Sequence, residues 1–527
     1  MIKKDKVILY YHTLKYMKPI QVSYRLFYFL RNKFGKKDFV KPLKNTSKKL
    51  RLTEFIPSNT SYIERNKFEF LNLSAEFKEK IDWNYSDKGK LWTYNLNYFD
   101  FLNQNNFKKE DGIELIENYI KFNAILKDGL EPYPISLRGI NWIKFFTTHS
   151  INNTTYDQVL YNHYQHLINK EEYHLLGNHL LENGFSLFFG AYYFQDELLL
   201  KHANRILIKE LKEQTLNDGA HFELSPMYHQ IILNRLLDCI NLAVNNQWDI
   251  FKNTTQLIKY AKQMLGWLEN ITYSNGDIPM VNDSAWGIAP SSKELFDYAK
   301  RLFIEYPTNN LANSGYRKHK EDRYELLMDV GDIGPTYIPG HAHADSLNFE
   351  IYLDNKPFIV DTGTSTYEKN GQRQNERSTF SHNTVVINET NSSNVWGGFR
   401  VAQRATTKII EDSTSRLVAI HNGYTQFNEL QQREFSYNEK EIIIFDKLSS
   451  SFSDSFAYLH FHPNVKVNHI VENQLKINES NAIIEFADGF DSLVLIEYNY
   501  CSGFNKKETA TAIKIKFNKT LKTTICL

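Results

Sequence analysis

The sequence predicts an α+β protein of two main parts, a helical part up to about residue 315 and an antiparallel β-sandwich from about residue 322. Before residue 315, apolar residues recur every three or four positions, which is typical of amphipathic helices. After residue 322 the apolar spacing changes to two, which is typical of strands. A chain of 527 residues is also too long for a single hydrophobic core, so more than one domain is expected.

The helical pattern is clearest in six segments, at 111–126, 158–167, 180–194, 198–211, 230–245 and 255–268. Short polar links such as 217–219 and 274–277 join them, so we expect antiparallel helical hairpins. Hairpins closed into a ring would form an α/α toroid. A stacked solenoid has the same periodicity, so the pattern alone leaves both open.

Four segments predict strands, at 324–330, 347–353, 384–387 and 441–445. Turn residues separate them, as at 354–357, and no helical segment intervenes. Short strands at regular spacing predict an antiparallel β-sandwich. The polar stretch 314–320 is expected to be the joint between the two parts.

Residues 1–90 are expected to form a basic, helical N-terminal arm. The first 50 residues hold 14 Lys and Arg but only Asp5 and Asp38, whereas the rest of the chain holds 48 basic and 59 acidic residues. Such an arm could contact a membrane surface or an anionic polymer. The alternative, which we favour, is an arm that is solvated and has no partner. We expect no nucleic-acid partner.

No export signal or membrane span is recognisable. The apolar run 7–11 is cut short by His12 and Lys15, and no stretch reaches the ~20 apolar residues of a transmembrane helix. We therefore expect a cytoplasmic or membrane-peripheral protein, with a periplasmic location left open. The three cysteines are widely spaced, which argues against a disulfide framework.

The most informative segment is 339–345, with the sequence PGHAHAD, followed by Asp361 and His382. In an extended HxH pair both imidazoles point to the same face. The cluster therefore predicts a metal site, a proton-transfer site or one of each, with a buried hydrogen-bonded histidine network as the alternative. As metal chemistry, His343, Asp361 and His382 form a ligand set that suits zinc, and His341 stays free for proton transfer.

Two further clusters lie in the helical part. Asn178 falls at a helix N-cap or in its first turn, with His179 beside it and Glu182 one turn on, where an anion such as a carboxylate is readily held. A plain helix cap is the alternative. Ser225 and Pro226 can start a helix whose first turn holds Tyr228, a residue type that is more often structural than catalytic.

These sequence motifs resemble those of the heparinase II/III-like polysaccharide lyases. The resemblance runs through 91–96, 136–142, 177–179, 225–229, 340–345, 361–363 and 381–384, and it covers most of the chain past residue 90. It implies an incomplete α/α toroid over 91–315, a β-sandwich over 322–527 and a substrate cleft between them. It also implies β-elimination on an anionic, uronate-containing polysaccharide.

The resemblance implies a role for each site residue. Asn178 and His179 would neutralise the sugar carboxylate, with Glu182 in a supporting position on the substrate side. Tyr228 would protonate the leaving oxygen, or act as base, and His341 would be the base on the opposite side. The metal residues would be His343, Asp361 and His382, with zinc bracing their loop. Arg377 and Arg404 are candidates for gripping substrate carboxylates, with structural salt bridges as the alternative.

Secreted degradative members of this family carry a signal peptide. Its absence here favours a role in bacterial capsule or lipopolysaccharide metabolism over digestion of extracellular polymers. Two other functions stay open. A glycoside hydrolase would need two facing carboxylates roughly 5–9.5 Å apart, for which Glu182 or Glu223 with Asp283 are candidates. The second is a non-catalytic glycan-binding or assembly protein.

Overall fold

The computed structural model describes residues 3–34, 39–43, 46–122, 125–248, 254–452, 454–477 and 480–527, and it confirms a helical part followed by an antiparallel β part. The helices of the described residues are α1 (Lys3–Leu14), α2 (Pro19–Phe34), α3 (Lys90–Tyr98), α4 (Lys109–Phe122), α5 (Pro132–Thr148), α6 (Thr154–Asn169), α7 (Gly177–Phe194), α8 (Glu197–Gln214), α9 (Pro226–Asn245), α10 (Thr254–Ile271), α11 (Ser292–Arg301) and α12 (Gly371–Glu376).

Helix α7 is the centre of the helical part. It packs against α5, α6, α8 and α9, and nearly all of its side chains are buried. A helix that is apolar on all sides belongs inside a core. The six predicted helices are confirmed, with ends that differ by a few residues; of the predicted helix 111–126, residues 123–124 lie outside the described residues. Helix α5 was not predicted, because residues 134–146 are buried on every face and show no amphipathic period.

The strands are β1 (Tyr62–Glu64), β2 (Lys67–Phe70), β3 (Leu73–Glu76), β4 (Tyr316–Lys320), β5 (Tyr324–Asp329), β6 (Phe349–Leu353), β7 (Lys356–Ile359), β8 (Val385–Ile387), β9 (Val395–Trp396), β10 (Arg400–Val401), β11 (Thr407–Asp412), β12 (Arg416–Tyr424), β13 (Glu429–Asn438), β14 (Glu441–Leu448), β15 (Ser455–His460), β16 (Val467–Val471), β17 (Gln474–Ile477), β18 (Ile483–Ala487), β19 (Phe490–Gly503), β20 (Lys506–Phe517) and β21 (Thr520–Cys526).

Among the described residues, three antiparallel sheets build most of the β part, and β9 and β10 pair as a separate two-stranded sheet. The strand orders of the three sheets are β11-β12-β13-β14-β21-β18-β17-β16, β19-β20-β15-β8 and β4-β5-β6-β7. In the largest sheet Phe435 lies opposite Ile444, and both are buried. These side chains share one core with Leu326 of β5 and Ile513 of β20, so all three sheets contribute to the same sandwich interior.

Two expectations about the chain's organisation need correction. In the described residues of 1–90, helix is limited to α1, α2 and the first residue of α3. Residues 62–76 form a small three-stranded sheet, and the buried Phe68 and Phe70 alternate along β2. The stretch 314–320 is not a free joint, because Tyr316–Lys320 pairs with β5 as a strand and Tyr316 is fully buried. The domain boundaries themselves stay a prediction.

Contacts between the two parts fix the loops that carry the site. Tyr273, just after α10, stacks on Tyr352 of β6 with ring centroids 3.7 Å apart. Nearby, the amide of Asp283 donates to the carbonyl of His341 at 3.2 Å, and the amide of His343 donates to Asn282 Oδ1 at 3.0 Å. The HxH loop of the β part is therefore held directly by a loop of the helical part. None of the described helices is long and apolar enough to span a bilayer.

Candidate active site

The head of α7 presents Asn178. Gly177 takes a φ of 61°, and a Cβ there would lie 2.9 Å from Glu223 Oε1, so the position requires glycine. Asn178 follows in the first helical turn, as predicted, and its Nδ2 donates to Glu223 Oε2 at 2.9 Å. Since an amide nitrogen carries two hydrogens, one remains for a ligand. Burial raises the pKa of Glu223, partly offset by His341.

His179 is partly exposed, with 39% of its side chain accessible to solvent. Its Nδ1 lies 3.2 Å from Glu172 Oε1, and its ring lies 4.7 Å from that of Tyr133. Burial alone would lower the pKa of His179, but the carboxylates around it, chiefly Glu172 and then Glu223 and Glu182, together raise the value. The arrangement favours an imidazolium, which suits a carboxylate ligand.

Glu182, predicted on the substrate side, is fully buried one turn further along α7. Its Oε1 accepts a hydrogen bond from Arg235 Nε at 3.0 Å. Burial raises the pKa of Glu182, and the Arg235 guanidinium partly offsets it. The carboxylate therefore lies behind Asn178 and His179 in the helical core, where it holds Arg235 in place.

Tyr228 lies in the first turn of α9, which Ser225 caps by accepting the Tyr228 amide at 3.5 Å. Its hydroxyl lies 3.0 Å from that of Tyr367 in the β part. Its ring contacts His341, with centroids 4.0 Å apart. Burial, reinforced by Tyr367, raises the pKa of Tyr228 well above its usual range, so the phenol stays protonated at neutral pH.

Asp283 connects both histidines of the HxH loop. Its Oδ2 lies 2.8 Å from His341 Nδ1, and its Oδ1 lies 2.9 Å from His343 Nε2, so the two rings do converge on one face. Arg373 binds the same carboxylate with both terminal nitrogens, one of them at 2.6 Å. Burial would raise the pKa of Asp283, but Arg373 and the two histidines lower it well below its usual range.

Contacts connect three of the four predicted catalytic groups, and the fourth, His179, follows Asn178 in the first turn of α7. His341 Nε2 lies 3.9 Å from the Glu223 carboxylate that holds Asn178, and the His341 ring touches Tyr228. The resemblance implies that Tyr228 and His341 act from opposite sides. They do come from different domains, but here they lie side by side.

The structure also brings together the predicted metal residues His343, Asp361 and His382. One ligand atom from each lies within 4.8 Å of the others, and all three residues are buried. In the described part of the chain, His343 Nδ1 and His382 Nε2 are buried without a hydrogen-bond partner. Two unpartnered imidazole nitrogens beside a carboxylate fit the donor set of a zinc ion.

The two predicted substrate arginines have other partners. Arg377 is buried, and its nitrogens donate to the carbonyls of Ala342 and Gly398 at 2.8–3.0 Å. Arg404 donates to the carbonyl of Thr336, and its guanidinium lies 4.0 Å above the ring of Tyr16. Arg377 therefore shapes the HxH loop from behind, and Arg404 attaches the N-terminal arm.

A cleft of about 510 Å³ adjoins these groups. Tyr133 and Arg235 connect it to His179 and Glu182, and Trp286 offers an aromatic face for a sugar ring. Its charged lining residues are Glu69, Asp100, Lys144, Arg235, Glu294 and Lys506.

Two family profiles match the chain, "Heparinase II/III N-terminus" over residues 135–310 and "Heparinase II/III-like, C-terminal" over residues 305–526. The chain belongs to the heparinase II/III-like family. The two matches meet where the helical part gives way to the β part, so the family covers both walls of the site.

Curated relatives of this family are similar over part of their length. A heparin-sulfate lyase of Bacteroides stercoris is 24% identical over 269 residues, which is 44% of this chain and 39% of that protein. A heparin-sulfate lyase of Pedobacter heparinus is 24% identical over 245 residues, 41% of this chain and 36% of that protein. The match thus spans less than half of each relative.

Solved structures of the family share the fold. A heparinase III structure superposes with a TM-score of 0.63 at 16% identity, covering 86% of this chain and 80% of the other. The heparan sulfate lyase HepC of Pedobacter heparinus gives a TM-score of 0.57 at 17% identity, covering 88% and 81%. At this identity the likeness shows the fold alone.

Several residues of the site in this family member escaped sequence reasoning. Glu172, Tyr367 and Arg373 each hold a predicted catalytic residue or its partner, and Asp283 was considered only as a hydrolase carboxylate. The one local signal was the polar run 282–284 following apolar residues, which is unusual inside a core.

Proposed function

We propose that this protein is a polysaccharide lyase that cleaves a uronate-containing polysaccharide by β-elimination. The observation that carries the proposal is the convergence of Asn178 and His179 with Tyr228 and His341 beside one cleft. Family membership supports it, as do the curated relatives named as heparin-sulfate lyases.

The first task is to make the proton on the carbon next to the sugar carboxylate acidic. The free Asn178 N–H and the His179 imidazolium would bind that carboxylate and stabilise the negative charge that develops as the proton leaves. Glu172 keeps His179 in its charged form. The pair would therefore act most strongly in the transition state.

Proton transfer would fall to His341 and Tyr228. The hydrogen bond to Asp283 assigns the His341 proton to Nδ1, which leaves Nε2 with a lone pair that can accept the C5 proton. The C4–O bond breaks as the C4=C5 double bond forms, and the Tyr228 hydroxyl gives its proton to the leaving oxygen. Because the two rings touch, the proton on His341 can return to Tyr228 after product leaves, directly or through water.

The side-by-side placement favours syn elimination. Base and acid on one face require the C5 hydrogen and the C4 oxygen to lie on the same face of the sugar, as in glucuronate and mannuronate. In iduronate, galacturonate and guluronate these two substituents lie on opposite faces. We therefore infer a glucuronate- or mannuronate-containing substrate.

The charges in the cleft favour a polymer with few sulfate groups. Lys144 is paired with Asp238, and Arg235 with Glu182. Of the cationic residues that line the cleft, Lys506 alone has no ion-pair partner among the described residues. Recognition of many sulfates would need several free cations.

Zinc at His343, Asp361 and His382 is part of the proposal. When bound there, it would supply a structural cross-link rather than polarise the substrate. His343 shares Asp283 with His341, so a fixed His343 would also fix the carboxylate that orients His341. A role in bacterial surface-polysaccharide metabolism is the biological setting we favour.

The geometry argues against a glycoside hydrolase. Asp283 is fully buried and bound by Arg373, His341 and His343, and Glu182 is buried against Arg235. Neither carboxylate is free to activate water or protonate a glycosidic oxygen. A non-catalytic glycan-binding protein remains distinguishable by experiment.

The test is incubation of the purified protein with unsulfated glucuronate, mannuronate and galacturonate polymers, while ultraviolet absorbance is followed. Elimination creates a double bond conjugated to the carboxylate, which absorbs in the ultraviolet. We expect absorbance to rise with glucuronate or mannuronate polymers and not with galacturonate. Binding without any absorbance change would indicate a non-catalytic glycan-binding protein.

A further inference from the structure

The N-terminal helices α1 and α2 expose an unusual amount of apolar surface. Nearly half of the large apolar side chains that are exposed in the described residues lie before residue 41. They are Val7, Ile8, Tyr10, Tyr11, Leu14, Val22, Leu26, Phe27, Phe29, Leu30, Phe34 and Val40. Such a concentration on a protein surface marks an interaction site.

Three of the exposed apolar residues of α1 lie on one face. Val7, Tyr11 and Leu14 are spaced i, i+4 and i+7 and are 66%, 66% and 56% exposed. The other face of the helix is attached to the β part. Tyr10 packs edge-on against Trp396 at 5.0 Å, and Thr13 Oγ1 accepts a hydrogen bond from the Trp396 indole at 3.2 Å.

Helix α2 has the same two-faced build. Gln21, Tyr24 and Tyr28 hold it on the helical part: the Gln21 amide donates to the Leu175 carbonyl at 3.0 Å, and Tyr24 stacks on Tyr173 at 4.8 Å. The free face carries a second group of large apolar side chains, between 45% and 62% exposed, which comprises Val22, Leu26, Phe29 and Leu30.

Basic side chains accompany both free faces. Lys15 is exposed just after α1, and Arg25 and Lys33 are exposed on α2. The sequence 3–34 holds a single acidic residue, Asp5. A soluble anionic polymer would satisfy these charges but would leave the apolar faces in water, whereas a bilayer with anionic headgroups satisfies both.

We propose that the free faces of α1 and α2 dock the protein on the surface of an anionic lipid bilayer. The apolar side chains enter the interface between headgroups and acyl chains, and Lys15, Arg25 and Lys33 bind lipid phosphates. The opposite faces keep the two helices attached to the rest of the protein. This proposal does not depend on lyase activity.

The test is co-sedimentation of the full chain with vesicles of phosphatidylcholine alone and of phosphatidylcholine in which phosphatidylglycerol makes up about a third of the lipid. We expect binding to the anionic vesicles that weakens with added salt. The variant R25Q/K33Q should bind about 30-fold more weakly, since each cation near such a surface contributes roughly fivefold. The variant L26S/F29S should bind roughly 100-fold more weakly or worse.

The matched control is F303S/V494S, which removes two exposed apolar side chains outside the arm, 93% and 57% exposed, and should bind like the wild type. Circular dichroism checks that each variant is folded. Absence of vesicle binding, or binding that L26S/F29S leaves unchanged, would overturn the proposal. A dimer seen by light scattering would also overturn the proposal if it does not bind vesicles and if L26S/F29S dissociates it. A second copy of the chain would then cover these faces.

Discussion

Tyr228 and His341, which come from different domains, lie with their rings in contact, 4.0 Å between centroids. Each is held from behind by a residue of the other domain: Tyr367 of the β part bonds the Tyr228 hydroxyl, and Asp283 of the helical part bonds His341. The proposed acid and base are therefore positioned by the interface between the two parts.

Replacing Tyr228 by Phe removes only a hydroxyl. We expect turnover to fall roughly 10²–10⁴-fold, since a positioned proton donor is lost. The free energy of unfolding should change by about 1 kcal/mol, the value of one hydrogen bond. Initial rates by ultraviolet absorbance and urea unfolding check both. Y367F is the matched control, with a smaller loss of rate, and an unchanged rate in Y228F would remove Tyr228 from the mechanism.

Replacing Asp283 by Asn should damage both stability and activity. The buried Arg373 loses its counter-charge, which costs about 3–5 kcal/mol of unfolding free energy. His341 also loses the acceptor that fixes its tautomer. The exposed D297N, which breaks the ion pair with Lys293, should leave both properties nearly unchanged. A D283N protein as stable and active as wild type would contradict the role given to Asp283.

The charge on His179 should set the alkaline limit of activity. Glu172 raises the pKa of His179 in the folded protein. The ion pair therefore stabilises the fold fully at pH values below about 6.5, the pKa of histidine in the unfolded chain. This stabilisation disappears as the pH rises through the higher pKa of the folded state. Substrate carboxylate binding should weaken over the same range. In E172Q the alkaline limb of the kcat/KM profile should move to lower pH. The control is E171Q, which removes the neighbouring carboxylate bound by Arg205 and His202 and should leave the limb in place. A limb that does not move in E172Q would exclude His179 as the titrating group.

Replacing His343 by Ala should lower zinc content and stability together, because a structural metal couples to folding. Elemental analysis of the purified protein and thermal unfolding with and without a chelator measure the two effects. H319A is the control, since His319 pairs with Glu321 away from the triad. Zinc retained at full stoichiometry in H343A would show that the metal ligands are assigned wrongly.

Local sequence patterns predicted much of this architecture. The 3.6-residue period located six helices, and the Ser225-Pro226 start placed Tyr228 in the first turn of α9. The HxH spacing predicted that His341 and His343 share a face, and both meet Asp283.

What the sequence did not reveal are contacts between distant residues. Asp283 lies about 60 positions before the HxH pair and 90 before Arg373, and no periodicity encodes such a meeting. Arg377 illustrates the reverse error. Its charge suggested a substrate ligand, yet burial turns its guanidinium toward backbone carbonyls, a role that only packing decides.

The central claim is that Asn178 and His179 neutralise the carboxylate of a uronate while Tyr228 and His341 transfer protons. The masses of the products test this claim most directly. Elimination breaks the C4–O bond without adding water. The fragments made by the wild-type protein from a defined glucuronate oligosaccharide, measured promptly in water enriched in heavy oxygen, should therefore sum to the mass of the intact chain. They should gain no whole water, and any label should be limited to oxygen exchanged at a reducing end. Fragments that together gain one labelled water per cut would contradict the account.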